Sequence, residues 1–207
     1  MSATHTNFWL IRHALVEQNA RATLYGVLDV EICPHTLESQ RPNYAALART
    51  LPANAIWYVT PLSRTRRTAE AILHAGYAPT ELHVEPDLIE QHLGAFQGLP
   101  HADLPDQLAQ PAHPFWPLSG TERPPGGESM QDVITRVGTA MERLALRHPD
   151  RDIVIVSHGG AIRAAIAHAL AIAADNALHL SVENISLSRL QRQDAGWRVI
   201  SVNTHPT

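Results

Sequence analysis

The sequence contains no lysine, and all sixteen of its basic residues are arginines. This composition excludes a Schiff-base lysine and a Walker-type phosphate loop, since both need a lysine amine. A single cysteine, Cys33, excludes an internal disulfide and a metal site built from several cysteines. The chain also lacks a basic amino terminus followed by a long apolar run. We therefore expect no signal peptide, no transmembrane helix and no membrane partner, and a cytoplasmic location.

The sequence also lacks a large net charge. The formal net charge is −4 over 207 residues, so there is no basic surplus that would predict binding to nucleic acid. A hydrophobic content of 44% at this length is enough for a substantial core, and we expect residues 1–207 to form one domain. The sequence leaves the oligomeric state open, with a homodimer as one alternative.

Short apolar runs alternate with helical patterns along the chain. This alternation predicts a three-layer α/β/α sandwich around a largely parallel sheet. The predicted strands cover residues 8–11, 55–59, 83–86, 152–157, 185–190 and 197–202. A short helix is predicted to begin near Pro42, and three further helices are predicted at 62–73, 129–148 and 161–174. Ser129 and Asp132 are expected to form a capping box at the start of the second of these three.

Charged and polar residues follow several of these strands directly. In open α/β sheets, ligands bind outside the carboxyl ends of the strands, so such residues are candidates for one site. Glycines after the strand at 152–157 would let an anion approach the amide groups at the start of the next helix. The candidates are Arg12 and His13, Arg64, Glu90, and His158 with Gly159.

These residue types suit phosphoryl chemistry. The planar guanidinium of arginine matches phosphoryl oxygens and stays charged in the working pH range. A neutral histidine can attack phosphorus, and a carboxylic acid can protonate the leaving oxygen. Each residue also has a simpler interpretation, such as a solvated Arg12-His13 pair that begins a loop. Thirteen histidines raise the alternative of a metal site, but no H-x-x-x-H motif lies near the proposed crevice, so we predict no metal and no cofactor.

A proline-rich segment at 99–125 is expected to form a lid-like insertion. It holds seven of the fifteen prolines, which rules out regular structure over much of its length. Phe115 and Trp116 indicate that the segment is ordered, and with Tyr25 they are candidates for contact with the body of a substrate. Arg163, on the helix after His158, is expected to face solvent or an interface.

Five motifs, in order, resemble those of the histidine phosphatase superfamily, also called the phosphoglycerate mutase-like family. The opening LIRHALVEQN is similar to L-[IV]-R-H-G-x-[TS]-x-x-N, with Ala14 in place of glycine and Val16 in place of threonine. TPLSRTRRTA resembles S-x-L-x-R-x-x-x-T-A, with Thr60 in place of serine, and LIEQHLGAFQG resembles L-x-E-x-x-x-G-x-x-x-G. PPGGES and SHGGAIR complete the series, and the resemblance covers nearly the whole chain.

The resemblance implies a phosphoglycerate mutase-like fold and a role for each matched residue. His13 would accept the phosphoryl group and Glu90 would donate the proton, with Asp29 and Glu17 as the next carboxylates to test. The phosphoryl group would be held by Arg12, Asn19, Arg64, His158 and the Gly159 amide. The expected substrate is a small phosphorylated metabolite.

Three functions remain open at this point. A phosphatase is favoured over a phosphoglycerate mutase-type phosphotransferase, because family mutases resemble each other in extra basic residues after the acid, and residues 99–127 contain only Arg123. A non-catalytic module that binds a phosphorylated ligand draws support from Ala14 and Val16. Retention of His13, His158 and Glu90 argues against it.

Overall fold

A six-stranded sheet forms the centre of the computed structural model, which describes residues 5–207. The strands are β1 His5–Arg12, β2 Ile56–Val59, β3 Leu82–Val84, β4 Asp152–Ser157, β5 Leu187–Gln193 and β6 Gly196–Thr204. Their order in the sheet is β3-β2-β4-β1-β5-β6; β1 to β4 run parallel, whereas β5 is antiparallel to β1 and β6 to β5. The sheet is thus largely parallel, as predicted.

Helices cover both faces of the sheet and complete the three predicted layers. Because successive strand residues point to opposite faces, Phe8 and Leu10 pack with α5 and α6, whereas Trp9 and Ile11 pack with α3 and α4. The capping box of Ser129 and Asp132 begins α5, as predicted. The helices are α1 Gln18–Arg21, α2 Pro34–Ser39, α3 Arg41–Thr50, α4 Ser63–His74, α5 Met130–Arg147, α6 Gly159–Leu170 and α7 Ala174–Leu178.

Three segments differ from the sequence prediction. The short helices α1 and α2 have too few residues to show a helical apolar stripe, so the pattern did not predict them. The helix predicted at 161–174 starts two residues earlier and is interrupted at Ala171, whose φ of 52° is left-handed and ends α6. The segment 99–125, in contrast, lacks regular structure over much of its length, as predicted, and contains only short 3₁₀ turns, at His101–Asp103 and Pro105–Gln107.

The strand order brings three strand ends together. β1 and β2 both pair with β4, so that Arg12 lies opposite Ser157 and Val59 lies opposite Val156. The loops that leave these three strands therefore meet at one edge of the sheet. Within residues 5–207, none of the helices is long and apolar enough to span a bilayer.

Candidate active site

His13 lies directly after β1 and is almost fully buried. Its Nδ1 is 2.7 Å from the carbonyl oxygen of Ala14, so Nδ1–H donates to that carbonyl and Nε2 keeps its lone pair. Burial, followed by the charges of Arg64 and Arg12, places the pKa of His13 well below its usual value. The geometry therefore provides a neutral imidazole whose Nε2 is suited to nucleophilic attack.

The two departures from the family's opening motif lie in the core. Ala14 is buried, and its backbone amide donates to the hydroxyl of Thr68 at 2.9 Å. Val16 is also buried and forms an isolated antiparallel bridge with Ile32. Neither substitution interrupts the bond between His13 and the Ala14 carbonyl, so the orientation of the imidazole is retained.

His158 follows β4 and faces His13, with 5.2 Å between the ring centroids. Its Nδ1 accepts a hydrogen bond from Nε of Arg64 at 3.3 Å, which puts the proton of the neutral ring on Nε2. Nε2–H then donates to the hydroxyl of Thr60 at 2.9 Å. Burial, then the charge of Arg64, holds the pKa of His158 well below its usual value. Thr60, which replaces the family's serine, still supplies the acceptor.

Arg64 and Arg12 bring two guanidinium groups to the site. Arg64 is fully buried and donates to the carbonyl oxygens of Leu28 at 2.8 Å and Gly26 at 2.7 Å. Arg12 donates through Nη1 to the carbonyl of Val182 at 2.6 Å, and its buried Nε has no hydrogen-bond partner among the described residues. Each arginine is fixed by carbonyls and retains N–H groups for an anion, as expected of bidentate phosphoryl recognition.

Glu90 lies against the start of α6. Its side chain is only 9% exposed, and Oε2 accepts a hydrogen bond from the Gly160 amide at 3.1 Å. Oε1 accepts from the Gln91 amide at 2.9 Å. A Cβ atom at position 160 would collide with Oε1, so glycine at this position lets the carboxyl group approach the helix. At Gly159, one residue earlier, an added Cβ would make tight contacts without a collision, at 3.1 Å from Nη1 of Arg163 and 3.3 Å from Nε of Arg12.

A cavity of about 260 Å³ opens beside these groups. Arg12, Glu90 and Gly26 line its inner end, and Tyr25 and Trp116 contribute aromatic walls. The sequence prediction for Tyr25 and Trp116 is thus matched by their position, although substrate contact itself stays a prediction. Leu15, Arg21, Thr23, Leu24, Gln91, Leu93, His101, Pro117 and Leu118 form the rest of the lining.

Six predicted site residues do not line the cavity. Four of them, His13, Arg64, His158 and Gly159, cluster beside Arg12, whereas Asn19 and Phe115 make no hydrogen bond or ring contact with that cluster. Asn19 is exposed on α1, where its side-chain oxygen accepts a hydrogen bond from the Ala20 amide at 2.7 Å. Phe115 is 65% exposed and packs its ring edge-on against His113 and His179. Adjacent residues in this segment point in different directions, so Trp116 turns inward while Phe115 does not.

The expectation that Arg163 faces solvent or an interface is wrong, because the residue is buried. Burial, and next the charge of Arg12, lowers the pKa of Arg163 to about 10. The side chain donates to the carbonyls of Gly159 at 3.1 Å and Leu180 at 2.8 Å. A helical residue one turn after the glycines faces the same side as they do, and that spacing was the available signal.

Asp29 and Glu17, the alternative carboxylates for proton transfer, do not line the cavity. Asp29 accepts hydrogen bonds from the amide and the hydroxyl of Ser63, at 2.9 and 2.7 Å, and so holds the start of α4. Glu17 flanks α1 and does not line the cavity. Across residues 5–207, no group of three or more His, Cys, Asp or Glu side chains has an arrangement that could hold a metal ion.

Comparison with known proteins adds independent evidence. The family model for the histidine phosphatase superfamily (branch 1) matches residues 8–205. Glucosyl-3-phosphoglycerate phosphatase from Mycolicibacterium vanbaalenii is 30% identical over 174 residues, covering 81% of this chain and 75% of that protein. The solved structure of mycobacterial glucosyl-3-phosphoglycerate phosphatase has a TM-score of 0.80 at 27% identity, covering 97% of this chain and 99% of that one.

A further relative, metal-independent phosphoserine phosphatase from Arabidopsis thaliana, is 28% identical over 77% of this chain. The match spans 66% of that relative's length, just under two thirds. The family model alone covers far more than half of the chain, and the resemblance drawn from five motifs is confirmed. The chain belongs to the histidine phosphatase superfamily (branch 1).

Proposed function

We propose that this protein is a metal-independent phosphomonoester hydrolase that acts on a small phosphorylated metabolite through a phosphohistidine on His13. The observation that carries the proposal is the state of His13: neutral, fixed through Nδ1, and presenting Nε2 beside two arginines. The phosphatase names of several relatives support the same reaction class.

In the first step, Nε2 of His13 attacks phosphorus and the bond from phosphorus to the ester oxygen breaks. Arg12 and Arg64 stabilise the charge on the phosphoryl oxygens, with help from the amide of Gly159 at the start of α6. His158 would join them by turning its Nε2–H from Thr60 to a phosphoryl oxygen. Glu90, in its protonated form, gives its proton to the leaving oxygen. The products of this step are a phosphohistidine, a free alcohol and the Glu90 carboxylate.

In the second step, the Glu90 carboxylate takes a proton from water as that water attacks phosphorus. The bond from phosphorus to Nε2 breaks, inorganic phosphate leaves, and His13 and protonated Glu90 are restored. One carboxyl group serves both steps, because the acid of the first half-reaction is the base of the second.

The hydrolase is favoured over a mutase by the surroundings of Arg123. Arg123 is the only arginine in residues 99–127, which contain no lysine. It pairs with Asp132 at 2.6 Å and does not line the cavity. The insertion therefore offers no arginine that would hold the second acidic group of a bisphosphorylated intermediate. Some relatives are named phosphoglycerate mutases, and a mutase is for that reason the second candidate.

The cavity supports a substrate with a ring-bearing body. Tyr25 and Trp116 would contact that body, while Arg21 and His101 lie on exposed chain at the rim. Residues 1–207 would act as one domain, with the segment 99–125 supplying one wall of the substrate site. Asn19 and Phe115 would approach the ligand only if their loops changed conformation.

The decisive experiment is a phosphatase assay with 4-nitrophenyl phosphate and a panel of phosphorylated metabolites, repeated with a chelator. We expect turnover that survives the chelator. Phosphoryl exchange between monophosphoglycerates faster than hydrolysis would favour the mutase, and ligand binding without turnover would favour a binding module. Activity that vanishes with the chelator and returns with a divalent ion would refute metal independence.

A further inference from the structure

Trp116 is held from two sides by residues that belong to the phosphoryl end of the site. The guanidinium carbon of Arg163 lies 4.7 Å from the centroid of the Trp116 ring. The indole Nε1 of Trp116 is 3.5 Å from Oε1 of Gln91, the residue after Glu90, a contact at the limit of a hydrogen bond. Gln91 is itself buried and donates to the carbonyl of Glu128 at 2.7 Å.

Like Arg64, Arg163 is a buried cation that forms no salt bridge with a carboxylate among the described residues. Its charge is compensated by two carbonyls and by the face of Trp116. One of those carbonyls belongs to Gly159, the first residue of α6, whose amide lies at the phosphoryl end. Arg163 thus joins the start of the phosphate-binding helix to the aromatic wall of the cavity.

We infer that Arg163 is a positioning residue that fixes Trp116 as a platform for the substrate body, and so favours phosphomonoesters whose body carries a flat ring. The inference rests on the proposed function. It extends that function by naming the residue that sets the position of the wall and the class of body that the wall accepts.

The interaction fits the chemistry of both side chains. A guanidinium stacks over one face of an indole, and because Trp116 also lines the cavity, part of its ring is accessible to a ligand. The planar fork also lets Arg163 donate to two carbonyls at once, whereas a lysine amine would bind as a point charge. Removing Arg163 should therefore free the ring to rotate, while Arg12 and Arg64 keep the carbonyl contacts that hold them at the phosphoryl end.

The test compares two ligands that share one headgroup. Phenylphosphonate and methylphosphonate are not hydrolysed, so calorimetry measures their binding whether or not the protein has phosphatase activity. For Arg163→Met, we expect the preference for the phenyl ligand to fall by about 2- to 30-fold, the range from an exposed to a desolvated cation–π contact, with little change for methylphosphonate. Arg163→Lys should recover only part of the preference. Arg66→Met, at an exposed position on α4, is the matched control.

A double-mutant cycle tests whether Arg163 acts through the ring. In a Trp116→Leu background, Arg163→Met should cause no further loss of the phenyl preference. The inference is overturned if both ligands weaken equally, if Arg163→Lys restores full preference, if the two losses add, or if the wild type shows no preference. Should Arg163→Met fail to fold, Arg163→Lys completes the same cycle. Binding without turnover in the wild type would refute the hydrolase and leave the cycle interpretable.

Discussion

The inner and outer ends of the substrate cavity are built differently. Next to the inner end, which Arg12 and Glu90 line, His13, Arg64 and His158 are buried, and each is fixed by hydrogen bonds within the protein. At the outer end, Arg21 is exposed at the end of α1 and His101 is exposed in a short 3₁₀ turn. A rigid inner end suits a step that every substrate shares, namely phosphoryl transfer to histidine. A looser outer end suits recognition of one particular body, which loops can vary without disturbing the chemistry.

The largest effect should follow the loss of the inner nucleophile. His13→Ala should abolish turnover, a loss on the order of 10⁴-fold or more, because no other group can form the covalent intermediate. Acid-labile, base-stable phosphate should appear on the wild-type protein quenched during turnover and be absent from the variant. Phosphate found on Ser157, or full turnover by His13→Ala, would contradict the mechanism.

A smaller but selective effect is expected at Glu90. Glu90→Gln keeps the shape of the side chain and removes the transferable proton. The burst rate should fall by about 10²- to 10⁴-fold for an alkyl phosphate, whose leaving alkoxide is very basic, and much less for an activated aryl phosphate. Methylphosphonate binding should largely survive. Equal losses for both leaving groups would assign Glu90 to positioning, with Asp29 and Glu17 to be tested next.

Gly160 offers a way to move Glu90 without changing its chemistry. The Cβ atom of Gly160→Ala would displace Oε1 of Glu90 from the start of α6. A displacement near 1 Å should lower the rate for alkyl phosphates by about 10²-fold. In a Glu90→Gln background the same change should cost little more. Additive losses in that cycle would show that Gly160 acts through the backbone of α6 and not through the carboxyl group.

The sequence predicts the residues at strand ends better than the directions of side chains in the proline-rich segment. Arg12, His13 and His158 directly follow strands, and strand order forces those ends together, so periodicity and motif position located them. The directions of Phe115 and Trp116 depend on how a proline-rich segment packs, which no short-range pattern contains. For Arg163 the expectation was solvent or an interface, although the helix spacing from Gly159 puts it on the buried side. The short helices α1 and α2 were missed because four and six residues are too few to show an apolar stripe.

The smallest effect concerns stability in acid. His13 and His158 have pKa values well below 6.5 in the folded protein, mainly through burial, so both stay neutral as the pH falls. The unfolded chain binds protons at these side chains below pH 6.5, and the free energy of unfolding must then decrease as pH decreases. Each histidine can contribute up to about 1.4 kcal/mol per pH unit in that window.

This linkage can be measured by denaturant unfolding between pH 7.5 and 5.5, values set on either side of the usual histidine pKa of about 6.5. His13→Asn should make the dependence shallower than in the wild type, and His74→Asn, at the exposed end of α4, is the surface control. Inorganic phosphate should also flatten the wild-type profile, because an anion beside the two imidazoles favours their charged forms. An unchanged slope in His13→Asn would mean that the imidazole takes up its proton in the folded protein, and the inner end would then be less dry and less rigid than its burial implies.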